Sequence, residues 1–155
     1  MKQRRLFAAL MLAAILALAL AGPASAAKLG GADQGGRLLT TTLTGAAEVP
    51  GPGDPDGTGF AAVTVNPGQG VLCYELSVSG IALDDRTAAH IHEAPFGKTG
   101  DVVVPLAAPT DGSSGGCIDV GRAKAKDILK NPADYYVNVH NAEYPAGALR
   151  GQLSK

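Results

Sequence analysis

The sequence predicts an all-β domain, a Greek-key-like β-sandwich or flattened barrel with one short helix. Short apolar or alternating runs recur along the chain, clusters of glycine and proline separate them, and only about residues 122–130 carry apolar side chains at helical spacing. No segment repeats at a period of 20–50 residues, which argues against a solenoid or propeller.

The chain starts with Lys2, Arg4 and Arg5, continues through an apolar run from Leu6 to Ala21, and reaches Pro23-Ala-Ser-Ala26. This is the pattern of a signal peptide over 1–26, with cleavage after Ala26. No stop-transfer flank follows, so no stable membrane insertion is expected after cleavage. The product is expected to be secreted, whether extracellular, periplasmic or associated with the cell envelope. Residues 27–36, small, polar and glycine-rich, read as a flexible leader, leaving 37–155 as one β domain. Cleavage removes three basic residues and leaves ten against fourteen acidic ones, a net charge of −4. That scattered, mildly acidic balance argues against nucleic acid as a partner.

Leu38 to Leu43 and Thr58 to Val65 read as strands separated by Pro50-Gly-Pro-Gly-Asp-Pro-Asp-Gly57, whose prolines and glycines exclude a helix or central strand. After the turn Asn66-Pro-Gly-Gln-Gly70, residues Val71 to Val78 alternate, with Leu72, Tyr74, Leu76 and Val78 toward the core. Cys73 falls in the opposite phase, and Cys117 likewise in Cys117-Ile-Asp-Val120. An even pair of cysteines in an exported chain reads as a disulfide outside the core layer. Asp101 to Leu106 reads as a strand buried on both faces, and Thr110 to Gly116 as a loop. Arg122 to Lys130 is the helix, ended by Asn131-Pro132. Asp134 to Asn141 and Ala148 to Leu153 form the last pair across Ala142-Glu-Tyr-Pro-Ala-Gly147.

The chemistry gathers at histidine. Two of the three histidines, His90 and His92, lie two apart in Ala89-His-Ile-His-Glu93. In a strand they share a face, with Cβ atoms roughly 6.6 Å apart. Ile91 marks the core side of that strand. Tyr135, Val137 and Val139 mark it on the late strand, so all three histidines, His140 included, fall on outward faces. Imidazole suits Cu(II) or Zn(II), and three histidines leave an open coordination position. Neutral rings are required, so affinity is expected to fall as pH drops through roughly 6.5. Glu93, Asn138 or Arg150 would orient an imidazole from behind. The contrary reading makes the three histidines hydrogen-bond partners of loop backbone at one end of the sandwich.

The remaining polar residues say less. Glu48 and Glu143 have no spacing that aligns them as an acid and base, and read as solvated loop carboxylates. Arg150 reads as a structural hydrogen-bond or ion-pair residue near Glu143. Tyr144-Pro145 and the 50–57 loop are candidate contacts for an unidentified protein partner. There is no G-x-S-x-G, G-x-G-x-x-G or G-x-x-x-x-G-K pattern, so no catalytic residue is assigned and the enzyme reading is disfavoured.

Three motifs follow one another in order: Leu43-Thr-Gly-Ala-Ala-Glu-Val-Pro50; Ala89-His-Ile-His-Glu93 with Gly97, Gly100 and Val102-Val103; and Tyr136-Val-Asn-Val-His140 with Pro145, Gly147 and Arg150-Gly-Gln152. Together they are similar to the chordin-type (CHRD) domain family, a resemblance that spans about residues 38–153. It implies a domain found in secreted bacterial proteins and repeated in animal chordins, which antagonise growth factors. The chain departs from the pattern by inserting Gly51 to Gly57 and by placing Ala94 and Ala148 where glycine and an acidic residue are usual.

A smaller resemblance, carried by His90, His92, Glu93 and His140, is to the copper/zinc superoxide dismutase sandwich. It would imply copper-dependent redox chemistry. That family needs a fourth copper histidine and a separate zinc site, which three histidines do not provide. The sequence therefore reads as a secreted, non-catalytic CHRD-type binding module with copper or zinc as the candidate ion. The competing readings are a dismutase-type redox protein and a purely structural envelope component.

Overall fold

A computed structural model describes residues 35–155. The signal peptide expected over 1–26 and all but the end of the 27–36 leader lie outside the described residues. Eight strands follow in order: β1 (Arg37–Thr44), β2 (Thr58–Asn66), β3 (Val71–Ser79), β4 (Ala88–Glu93), β5 (Asp101–Leu106), β6 (Ser113–Asp119), β7 (Tyr135–His140) and β8 (Leu149–Gln152). The helix α1 (Gly121–Lys130) lies between β6 and β7, and single 3-10 turns occupy Gly45–Ala47 and Pro132–Asp134.

All strand pairs are antiparallel, in the order β5-β4-β7-β8-β1-β2-β3-β6. The seam between β8 and β1 is thin. It holds the ladder pair Thr44↔Arg150 and the bridge Thr40↔Ser154. Two four-stranded halves therefore curl toward each other. The Tyr74 hydroxyl on β3 accepts the Ala107 N–H just past β5 at 2.7 Å, tying the two ends of the sheet into a nearly closed barrel.

The alternating pattern sets the interior. Leu39 and Leu43, Ala61, Val63 and Val65, Leu72, Tyr74 and Leu76, Ile91, Val104, and Tyr135, Val137 and Val139 form one buried cluster. Ala125 and Ile128 of α1 join it, as their helical spacing requires. Gly121 begins the helix with its N–H on the Asp119 carboxylate at 2.9 Å, and Pro132 stands just beyond its end.

Three local expectations are corrected. Residues 113–116 are strand, not loop: Gly115 and Gly116 pair with Glu75 and Tyr74, and β3 supplies the pairing that glycine's own preference does not. β5 is an edge strand, bonded only to β4, with Val102 48% exposed and Val104 fully buried. An edge accommodates Pro105, which has no N–H to offer a second partner. Finally, Cys73 is buried although its phase faces outward, because Cys117 lies directly opposite it and the two are joined as a disulfide.

Candidate metal centre

β4 and β7 are neighbours, which the sequence phases permitted but did not require. Their register sets His90 opposite Asn138, His92 opposite Tyr136 and Ala88 opposite His140. The period of two places the histidines on the outward face, and the pairing draws them into one patch. Ring centroids are 5.7 Å apart for His90 and His92, 5.3 Å for His90 and His140, and 6.1 Å for His92 and His140. One nitrogen from each ring lies within 4.8 Å of the other two.

The hydrogen bonds decide which nitrogens remain available. His92 Nδ1 lies 2.9 Å from the Gly100 carbonyl and His140 Nδ1 lies 3.2 Å from the Pro145 carbonyl. A carbonyl only accepts, so both Nδ1 atoms donate and both Nε2 atoms keep their lone pairs. His92 Nε2, His140 Nε2 and His90 Nδ1 are all buried and without a hydrogen-bond partner. Unpartnered buried nitrogens are costly unless something satisfies them.

Burial, reinforced by His90, holds His140 down to about 4. Burial and then the neighbouring His92 lower His90 as well. Protons thus compete for these two rings at lower pH than the 6.5 expected from sequence, and for His140 well below it. A tetrahedral ion with bonds of about 2.0–2.1 Å sets its ligand nitrogens roughly 3.3 Å apart. The three nitrogens meet that spacing by closing about 1.5 Å at the widest pair. The donor set fits a divalent ion.

The groups that orient the rings differ in part from those expected. Glu93 points with Ile91 to the opposite face and binds Lys124 Nζ at 2.7 Å, so it does not reach an imidazole. Asn138 donates Nδ2 to Glu48 Oε1 at 2.7 Å, and its own Oδ1 is unpartnered. Arg150, 1% exposed, lies 3.5 Å over the Tyr136 ring, whose plane is stacked within 7° of His92 at 4.8 Å. Arg150 therefore supports His92 through an intervening aromatic ring, and the expected placement near Glu143 does not hold.

Glu48 is buried and not solvated. The loop after β1 folds back over the outer face, with Gly53 N–H on the Gly45 carbonyl and Asp54 N–H on the Ala148 carbonyl. Burial pushes the Glu48 carboxyl up to about 7, against the opposing Asn138 hydrogen bond and the Arg150 charge. Tyr144, expected as an exposed contact, packs partly buried against the core.

Sequence reasoning missed the carbonyls of Gly100 and Pro145, because a backbone acceptor leaves no side-chain signature. The available signal was Gly100 itself. A Cβ there would stand 2.0 Å from the Glu93 carbonyl, so only glycine lets the loop return closely enough to face His92. Gly100 N–H also bonds the Tyr136 hydroxyl at 3.3 Å. Gly100→Ala is expected to lower Zn(II) affinity by about 10–100-fold and stability by roughly 1–3 kcal/mol. Competition titration and thermal melts check both. Unchanged affinity in a folded variant would remove Gly100 from the scaffold of the site.

Above the imidazoles opens a cleft of about 390 Å³, lined by Arg86, Ala88, Val102, Ala142 and Pro145 together with the histidines. A coordination position on an ion held there would be reachable from solvent. Among the described residues no helix is long and apolar enough to cross a membrane. The family model for the CHRD domain matches residues 39–153. No curated protein and no solved structure matches the chain.

Proposed function

Because this chain belongs to the CHRD domain family, we propose that it is an exported, non-catalytic binding module that holds one divalent ion, Cu(II) or Zn(II), through His90, His92 and His140. Two observations carry this reading: one nitrogen of each ring lies within 4.8 Å of the other two, and each ring has a buried nitrogen without a partner. Structural histidines on a barrel face would be expected to have those atoms hydrogen-bonded or in water. The disulfide between Cys73 and Cys117 supports an oxidising compartment, consistent with the signal read over 1–26.

The test is metal titration of the mature chain from Ala27, expressed without a poly-histidine tag, beside His90→Ala/His92→Ala/His140→Ala. One equivalent per chain, lost in the triple variant, is the expected result. Binding no tighter than that of the variant would sink the metal reading and leave a protein-binding or structural module. A second reading, copper-dependent redox chemistry of the dismutase type, draws on the open cleft. Superoxide disproportionation by copper-loaded protein at a rate no higher than that of the triple variant given the same copper would exclude it.

A further inference from the structure

The cleft above the histidines has a charge imbalance. Three neutral imidazoles contribute no negative charge, so a divalent ion bound by them keeps its full charge, and no aspartate or glutamate lines the cleft. Arg86 stands in the lining and is exposed, with no ion pair to its guanidinium among the described residues.

The turn that presents Arg86 is fixed. Asp84 accepts the Arg86 N–H at 2.8 Å through Oδ1 and the Ala142 N–H at 3.1 Å through Oδ2, and Thr87 Oγ1 accepts the Asp84 N–H at 2.9 Å. Both oxygens of the Asp84 carboxylate thus hold backbone. Asn141 is occupied too, donating to the Ala82 carbonyl and accepting from the Tyr144 N–H. The remaining walls, Ala88, Val102, Ala142 and Pro145, are apolar.

We propose that the open coordination position takes a small organic carboxylate, with one oxygen on the metal ion, the other on the guanidinium of Arg86, and its apolar body against Val102 and Pro145. This rests on the metal reading above. With one oxygen on the ion, a carboxylate still has a second charged oxygen for a charge-assisted hydrogen bond from the guanidinium, which a bound hydroxide or water lacks.

The experiment loads the mature chain with one equivalent of Cu(II), verifies occupancy, and titrates acetate and butyrate, with acetamide as the uncharged control, following visible absorption and electron paramagnetic resonance. Butyrate is expected to bind several-fold more tightly than acetate, since its extra methylenes meet apolar wall. Acetamide is expected to leave the spectra unchanged. At full copper occupancy, Arg86→Gln is expected to weaken both carboxylates by about tenfold, Arg86→Lys by less, and Lys126→Gln on α1 by under about twofold. Equal affinities in wild type and Arg86→Gln, or equal losses in Arg86→Gln and Lys126→Gln, would overturn the assignment while leaving the metal site standing. Failure of copper to load would remove both readings, and it appears before any anion is added.

Discussion

Replacing Cys73 and Cys117 together by alanine will lower the stability of the domain by up to about 4 kcal/mol, the value the chain-entropy model gives for a loop of this length. The cross-link joins residues 44 apart in sequence, and it encloses β4, β5 and their connections. Opening it frees that length of chain in the unfolded state. A smaller native-state loss adds to this, because Cys73 is buried and its replacement leaves space beneath β6.

The local consequence separates two accounts of the bond. β6 is an edge strand that carries Gly115 and Gly116 and is hydrogen-bonded only to β3. It is joined almost directly to α1, whose Ala125 and Ile128 sit in the core. If the bond acts only through the unfolded chain, the double variant loses stability uniformly and its native amides keep their relative protection. If it also holds β6 on β3, amides of 113–119 exchange first and ahead of global opening. Denaturant melts with hydrogen exchange check both, and a double variant as stable as wild type would show that neither applies.

What the sequence made legible is what a period of two writes into a single strand. The inward phase of β3, the core side at Ile91, and the outward phase of His90, His92 and His140 all follow from local alternation. Whether β4 lies beside β7 is a long-range pairing with no local trace, so the phases permit the cluster without requiring it. β5 was misread because Asp101-Val-Val-Val-Pro-Leu106 looks like a strand buried on both faces, whereas the bulge between Ile91 and His92 turns Val102 toward the open cleft. β6 was missed in part because glycine has little strand preference. Glu48 was misread for a different reason: its burial comes from a loop that closes over the sheet's outer face, and periodicity describes the sheet alone.

That loop makes Glu48→Gln the second large expected effect, with a sign that depends on pH. The folded carboxyl is raised from 4.5 to about 7, a difference worth roughly 3 kcal/mol at about 1.4 kcal/mol per tenfold change in proton affinity. Below 4.5 both states are protonated, and the stabilisation from the neutral buried acid is fully present. As pH rises toward 7 the unfolded chain releases its proton while the folded chain retains it, so stability falls. Above 7 both states are ionised and the loss is complete. Glutamine keeps an oxygen for the Asn138 Nδ2 and never ionises, so it escapes the decline. The variant is therefore expected to gain up to about 3 kcal/mol on wild type between pH 4.5 and 8. Taking the difference cancels every other group that titrates in the window, and a chelator removes any contribution from metal.

The opposing force is Arg150, 1% exposed and in need of a counter-charge. Were its attraction dominant, the carboxylate would be stabilised and wild type would gain on the variant as pH rises. Burial wins in the geometry seen here. Among the described residues no ion pair joins Arg150 to Glu48; the guanidinium lies over Tyr136, and its Nη2 makes only long contacts to the Pro95 carbonyl at 3.5 Å and Gln152 Oε1 at 3.4 Å. The hydrogen bonds from Asn138 and from the Val49 backbone favour the ionised carboxylate, and burial outweighs them. Stability measured against pH for both proteins decides between the two forces, and a difference that shrinks with rising pH would place an ionised Glu48 beside Arg150 as the true resting state.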